Sequence, residues 1–311
     1  MNGQGPAGKT LTKTQRAGIA YGIAAYGLWG VMPIYFKQIA SVPAIDIVAH
    51  RIVWSLVVLV VLLTLSKAWS QVTAAVRQPK IFALLALTAI LIAINWLLYV
   101  FAINNGHILA GSLGYFLNPL ANILLGRFVL KERLDRRQWL AVGIAGAGIA
   151  VLATGALDTL WISLVLCFSF GTYGLLRKIV SVDSLAGLSI ETALLFPIAL
   201  GWLLVGGVAG VGMFDHAGSL TPLLMAAGIV STIPLLCFTA AARRLNYSTV
   251  GMLQFLAPSL QFLLAVAVYG ETLTVPHMIA FASIWTALAL YVSSIIRQRR
   301  QARNCPELGE A

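Results

Sequence analysis

The chain has 311 residues, 59% of them hydrophobic and only 10% charged, with a mean hydropathy of +0.90 and a formal net charge of +11. Water-soluble domains run near ~45–50% apolar and ~25% charged, so a soluble enzyme, a DNA-binding domain and a disordered scaffold are excluded. The apolar runs are continuous and do not alternate residue by residue, which excludes an outer-membrane barrel and leaves an all-α membrane protein.

In chain order, residues 1–16 are polar and glycine-rich and read as a flexible tail. The first apolar run, from Ala17 to Phe36, is too long for a signal-peptide core of ~7–15 residues and is followed by further spans, so it is expected to be retained. Nine more runs follow near 44–66, 81–103, 108–130, 138–154, 158–176, 187–210, 220–242, 247–270 and 275–296. Ten spans are expected, with a second polar tail over 298–311. If the N-terminus is cytoplasmic, strict alternation places all 21 basic residues except Lys37 and Arg51 on the cytoplasmic side. One span more or fewer would scramble that bias, so both termini are expected inside.

The cysteines are Cys167, Cys237 and Cys305, without CxxC or Cys/His spacing, so neither a disulfide framework nor a metal site is expected. No cofactor and no nucleic-acid partner is expected; the partners are the lipid bilayer and a small-molecule substrate.

A shift of 139 residues lays 95–134 on 234–273 without a gap. Phe116 falls on Phe255, Pro119 on Pro258 and Glu132 on Glu271. The expected units are 17–154 and 158–297. Because five spans separate them, the second should lie inverted relative to the first. The loop at Glu132 carries five basic residues and the loop after Glu271 none, as opposite sides would require. Inverted repeats are the usual scaffold for alternating access in secondary transporters.

Several motifs point to a family. They include Ala25-Tyr26-Gly27-Leu28-Trp29-Gly30, His50-Arg51-Ile52-Val53-Trp54-Ser55, Asn95-Trp96-Leu97-Leu98 and Ser112-Leu113-Gly114-Tyr115-Phe116-Leu117-Asn118-Pro119-Leu120. The second half adds Pro234-Leu235-Leu236-Cys237-Phe238-Thr239 and Tyr269-Gly270-Glu271. Over about residues 17–297 the chain resembles the RarD-type (chloramphenicol-sensitivity) members of the EamA branch of the drug/metabolite transporter superfamily. The resemblance implies a bacterial inner-membrane permease of ten helices in two EamA units. It implies no substrate.

Tyr115, Asn118 and Asn122 share one stripe of the fourth span, and Gln254, Pro258 and Gln261 one of the ninth. The repeat sets Tyr115 on Gln254 and Asn122 on Gln261. Such stripes either line a substrate cavity, with Pro119 and Pro258 as hinges, or hydrogen-bond helix to helix at ~0.6 kcal/mol per contact. Asn95, Trp96, Tyr99 and Tyr173 are further candidates for the cavity wall. Ionisable residues inside spans are functional candidates, here Asp46, His50, Arg51 and Glu191, with Arg177 as the expected partner of Glu191. They read either as gates and proton sites or as static charge pairs. The Gly18/Gly22 and Gly206/Gly210 pairs suggest close packing.

Neither H-E-x-x-H nor a phosphate-binding P-loop occurs, and Ala110-Gly111-Ser112-Leu113-Gly114 misses the nucleophile-elbow pattern by its first residue. No enzyme is expected. The reading is a secondary transporter of a metabolite or drug, driven by an ion gradient or by its own substrate's gradient. The alternatives are a passive channel or facilitator and an intramembrane enzyme.

Overall fold

The computed structural model describes residues 12–105, 107–206, 220–270 and 275–304. Helix α1 covers Lys13–Gln38, α2 Ala44–Leu65, a short α3 Trp69–Val76, α4 Pro79–Asn104, α5 Ile108–Phe128 and α6 Arg136–Ala153. A 3-10 turn over Thr154–Thr159 leads into α7 (Leu160–Ile179), followed by α8 (Ser184–Leu204), α9 (Leu220–Arg244), α10 (Tyr247–Gln254), α11 (Leu256–Ala267) and α12 (Val275–Asn304). No strand occurs among the described residues.

Each expected span is occupied by a helix, and eight of these are long and apolar enough to cross a membrane. Helices α5 and α6 stand where the fourth and fifth spans were expected but fall outside those eight. Helix α6 has 18 residues and opens on Arg136-Arg137-Gln138. Leu65, Ile198, Leu204 and Val205 stay exposed on the flanks, as lipid-facing residues must when the solvent is hydrocarbon. Glu271, Cys305, Gly210 and the outer parts of both tails lie outside the described residues.

Local chemistry sets the helix ends. Thr12 and Gln15 form a capping box at the start of α1, and Asp135 and Gln138 another at the start of α6. Helix α8 ends at Leu204, and Gly206, at φ +92°, turns the chain after it. Gly206 thus stands at the end of α8, and its expected partner Gly210 lies outside the described residues. The ninth span is split at Phe255, whose N–H bonds Met252 O at 3.3 Å. Pro258, four residues after Gln254, has no N–H to offer that residue's carbonyl. Pro119 sits inside an unbroken α5.

The main helix pairings are kept when the first set (α1, α2, α4, α5, α6) is exchanged with the second (α7, α8, α9, α10–α11, α12). Helix α1 packs on α9 and α11 as α7 packs on α4 and α5; α2 packs on α9 as α8 packs on α4. The pairs α2–α8, α5–α10 and α6–α12 map onto themselves. Gly18 and Gly22 do allow close approach: a Cβ on either would lie 2.9 Å from Arg244 Cβ or 2.7 Å from a Leu253 methyl.

The two ends of the bundle are held by different chemistry. At one end Glu132 accepts from Tyr247 N at 2.6 Å and from Ser248 N and Oγ at 3.0 and 2.6 Å, so a carboxylate from the α5–α6 loop satisfies the open N-terminus of α10. Arg243 and Asp183 pair at 3.2 Å, Lys178 donates to Ala242 O at 3.0 Å, and Ser294 donates to Asp135. At the opposite end Tyr35 donates to Leu223 O at 2.8 Å, Lys37 lies 3.6 Å over the Tyr269 ring, and Trp202 donates to Asp46 at 2.8 Å.

Candidate functional site

A small internal cavity of about 20 Å³ lies where α2, α4, α8 and α9 meet, room for about one water molecule. These are two helices from each set, exchanged in pairs by the packing symmetry. Ile52 and Ser55 come from α2, Ile92 and Trp96 from α4, Leu188, Glu191, Thr192 and Leu195 from α8, and Ser231, Thr232 and Leu235 from α9. The wall is mostly aliphatic, with hydroxyls, one indole and one carboxylate. Thr232 is buried, and its Oγ1 has no partner among the described residues.

The carboxylate is Glu191, on the seventh residue after the start of α8. Thr88 donates to its Oε1 at 2.6 Å, Tyr173 to Oε2 at 3.3 Å, and Arg177 Nε lies 3.4 Å away. Glu191 and Arg177 are both fully buried. Gly187 makes room for the guanidinium, because a Cβ there would lie 2.0 Å from Arg177 Nη1. Arg177 also donates to Ser184 O at 3.2 Å.

On the other side of the cavity stands Arg51, seven residues after the start of α2 and so at the equivalent depth. Its Nε donates to Ser231 Oγ at 2.8 Å. The guanidinium lies 4.9 Å from the centre of Trp96 and 5.7 Å from that of Phe36, within cation–π range. Tyr35, Tyr99 and Tyr115 are close enough to feel its charge. Among the described residues no carboxylate lies within 4.0 Å of it. Asp46 and His50 are buried on the same helix, Asp46 accepting from Trp202.

The other sequence candidates divide. Trp96 lines the cavity, and Tyr99 and Tyr115 stack edge to face at 5.2 Å on the Arg51 side. Tyr173 joins the Glu191 cluster. Asn118, Asn122 and Gln254 meet at a separate seam between α5 and α10, where Asn122 Nδ2 donates to Gln254 Oε1 at 2.7 Å. A Cβ on Gly251 would lie 2.6 Å from Pro119 O, so that crossing depends on glycine. Asn118 is fully buried there, and neither of its amide atoms has a partner among the described residues. Asn95 Nδ2 donates to Leu166 O at 2.9 Å and Ser169 Oγ at 3.0 Å, tying α4 to α7. Gln261 is exposed and donates to Trp29 O at 3.1 Å. Pro258 lies just past the α10–α11 break.

Sequence reasoning passed over Ser55, Thr88, Ser231 and Thr232. Single hydroxyls in apolar helices carry little signal. The available cue was the pair Ser231-Thr232, about one turn after Gly228, whose missing side chain lets α9 touch the α2 backbone at Trp54.

Residues 16–154 match the model of the EamA-like transporter family. Over 292 residues the chain is 48% identical to a protein named RarD from Salmonella typhi, covering 93% of this chain and 99% of that one. It is 46% identical to the protein named RarD from Escherichia coli K12, over 94% of this chain and 99% of the relative. An uncharacterized transporter from Vibrio cholerae is 44% identical, with 93% and 96% covered. A crystal structure at 18% identity superposes with a TM-score of 0.71, over 90% of this chain and 98% of that one, and shares the fold.

Proposed function

Because this chain belongs to the EamA-like transporter family as a RarD-type member, we propose that it carries a small molecule across the bacterial inner membrane by alternating access. That it is a multi-pass membrane transporter follows from the family and from its apolar helices. The finer reading rests on one observation: the cavity lies at the meeting of α2, α4, α8 and α9, the four helices that the packing symmetry exchanges. A site on such an axis can open to either side if the two five-helix units, 17–154 and 158–297, rock against each other.

The units are inverted repeats in a ten-span chain with both ends cytoplasmic. The 139-residue shift, the placement of the basic residues and the exchangeable helix pairing support this reading. A cavity as narrow as about 20 Å³ suits a carrier caught between openings better than a continuous pore. Without a nucleotide-binding motif in the sequence, the driving force is a gradient, and Glu191 and His50 are the groups that link it to protons. Asn118, Asn122, Gln254 and the α10–α11 break beside Pro258 form the flexible seam of the moving helices.

The test is counterflow in proteoliposomes, with a panel of labelled acids, amines, amino acids and neutral metabolites. Transient accumulation of label driven by unlabelled substrate on the other side is the expected result. Uptake that never saturates and shows no counterflow would make the protein a channel.

A further inference from the structure

The two ends of the cavity are built alike but charged unequally. Glu191 and Arg51 occupy equivalent places in α8 and α2, each seven residues past the helix start. Each takes a hydroxyl from the symmetry-related neighbour, Thr88 of α4 for Glu191 and Ser231 of α9 for Arg51. The third member breaks the match. Arg177, two residues before the end of α7, neutralises Glu191. The residue two before the end of α1 is Phe36, and it faces Arg51 with a ring where a counter-charge would stand.

Arg51 is thus a permanent cation inside the span without a carboxylate of its own. A charge in that position is costly and is retained where a pathway or ligand uses it. Of its five N–H donors, Nε is committed to Ser231, while Nη1 and Nη2 make no hydrogen bond to the described residues. These two groups match the fork geometry that a carboxylate accepts. The guanidinium lies on the face of Trp96, and from Trp96 and Ser231 the cavity wall continues through Ile52, Ile92, Leu188 and Leu235 to the unpartnered hydroxyl of Thr232.

We propose that Arg51 is the anion-recognising residue of the cavity, and that the transported substrate is a small carboxylate with an apolar, preferably aromatic, body stacked on Trp96. This rests on the transporter reading above and gives it a substrate class. The anion completes at the Arg51 end the neutral pair that Arg177 and Glu191 already form at the other. Since the cavity as it stands holds about one water, binding requires α2 and α4 of one unit to part from α8 and α9 of the other.

The test uses purified full-length protein in nanodiscs, titrated at neutral pH with 3-phenylpropionate, phenylalanine, phenethylamine and 3-phenylpropanol while tryptophan fluorescence is followed. Binding of 3-phenylpropionate well above the amine and the alcohol is expected. Phenylalanine tells a lone anion from a zwitterion: binding equal to the acid's places both within the class, and weaker binding restricts the class to acids without an amine. Arg51→Gln should weaken acid binding by roughly thirtyfold or more, the usual effect of deleting one partner of a buried charge pair. Arg51→Lys, which keeps the charge but not the fork, should recover part of it and shows that the position tolerates change. Equal binding of the neutral or cationic analogue, no binding of either carboxylate, or acid binding unchanged in Arg51→Gln overturns the assignment. Counterflow of some other solute by the same preparation would then leave the transporter reading standing, so the two failures are distinguishable.

Discussion

The closest helix approach beside the cavity is that of α2 and α9 at Gly228, and it gives a quantitative test of the packing. A Cβ on Gly228 would lie 2.4 Å from the Trp54 carbonyl carbon, 2.5 Å from its oxygen and 2.7 Å from its Cβ. Ordinary contacts begin near 3.4 Å, and the obstacle is mainly backbone, so no rotamer change relieves it. Gly228→Ala must therefore push the helices apart by about 1 Å, and overpacking of this kind costs ~1–3 kcal/mol. Separation also stretches the bond from Ser55 Oγ to Gly228 O, already 3.3 Å long. Gly27→Ala supplies the control, since nothing lies within 4 Å of a Cβ there and alanine gains up to ~1 kcal/mol in a helix. Thermal unfolding in detergent micelles, followed by loss of the monodisperse peak, should show Gly228→Ala melting clearly below wild type and Gly27→Ala at or above it. Equal melting temperatures for the two variants would refute the close approach of α2 and α9.

Three further outcomes follow. Glu132→Ala strips three hydrogen bonds from the start of α10 and should destabilise by ~1–3 kcal/mol, read by the same melting assay; Glu132→Gln, which keeps one acceptor, should fall between. Gly187→Ala drives a methyl into Arg177 and should weaken its pairing with Glu191, so that transport falls, while the same change at Gly201, in open space, leaves it intact. If Glu191 and His50 carry the coupling proton, Glu191→Gln and His50→Gln should lose accumulation driven by a pH gradient yet keep substrate exchange. Concentrative uptake by both variants would remove proton coupling from the account.

Much of the fold was legible because a bilayer leaves so few options. Apolar runs of span length must be helices, and all ten expected segments are helical. Smaller features escaped: the short α3 between the second and third spans, the turn at Gly206 after α8, and the split at Phe255 that divides the ninth span. The site was less legible. Stripe reasoning marked Asn118, Asn122 and Gln254, whose polarity is real but is spent at a helix crossing, at least in part through Asn122–Gln254. The cavity lies one layer away, on α2, α4, α8 and α9, and its hydroxyls are too ordinary in sequence to stand out. Charge was the better guide. Arg51 and Glu191 were conspicuous as ions inside spans: Glu191 lines the cavity and Arg51 holds Ser231 of its wall; their different neighbours, Phe36 and Arg177, became visible only once the helices were assembled.

The central claim is that one cavity opens to the two sides in turn, and directional labelling of a cavity cysteine tests it most directly. In a variant lacking the native cysteines, Ser55→Cys places a thiol in the cavity wall. Cysteines at Tyr21 and Arg244, which pair at 5.1 Å across α1 of one unit and α9 of the other, allow one end of the bundle to be clamped with a short bifunctional thiol reagent. Without the clamp, an impermeant reagent should reach position 55 from both sides of oriented vesicles. With the clamp, labelling should persist from the Arg51 side alone and transport should stop. Labelling from both sides of the clamped protein, or from neither side of the free one, would contradict alternating access through this cavity.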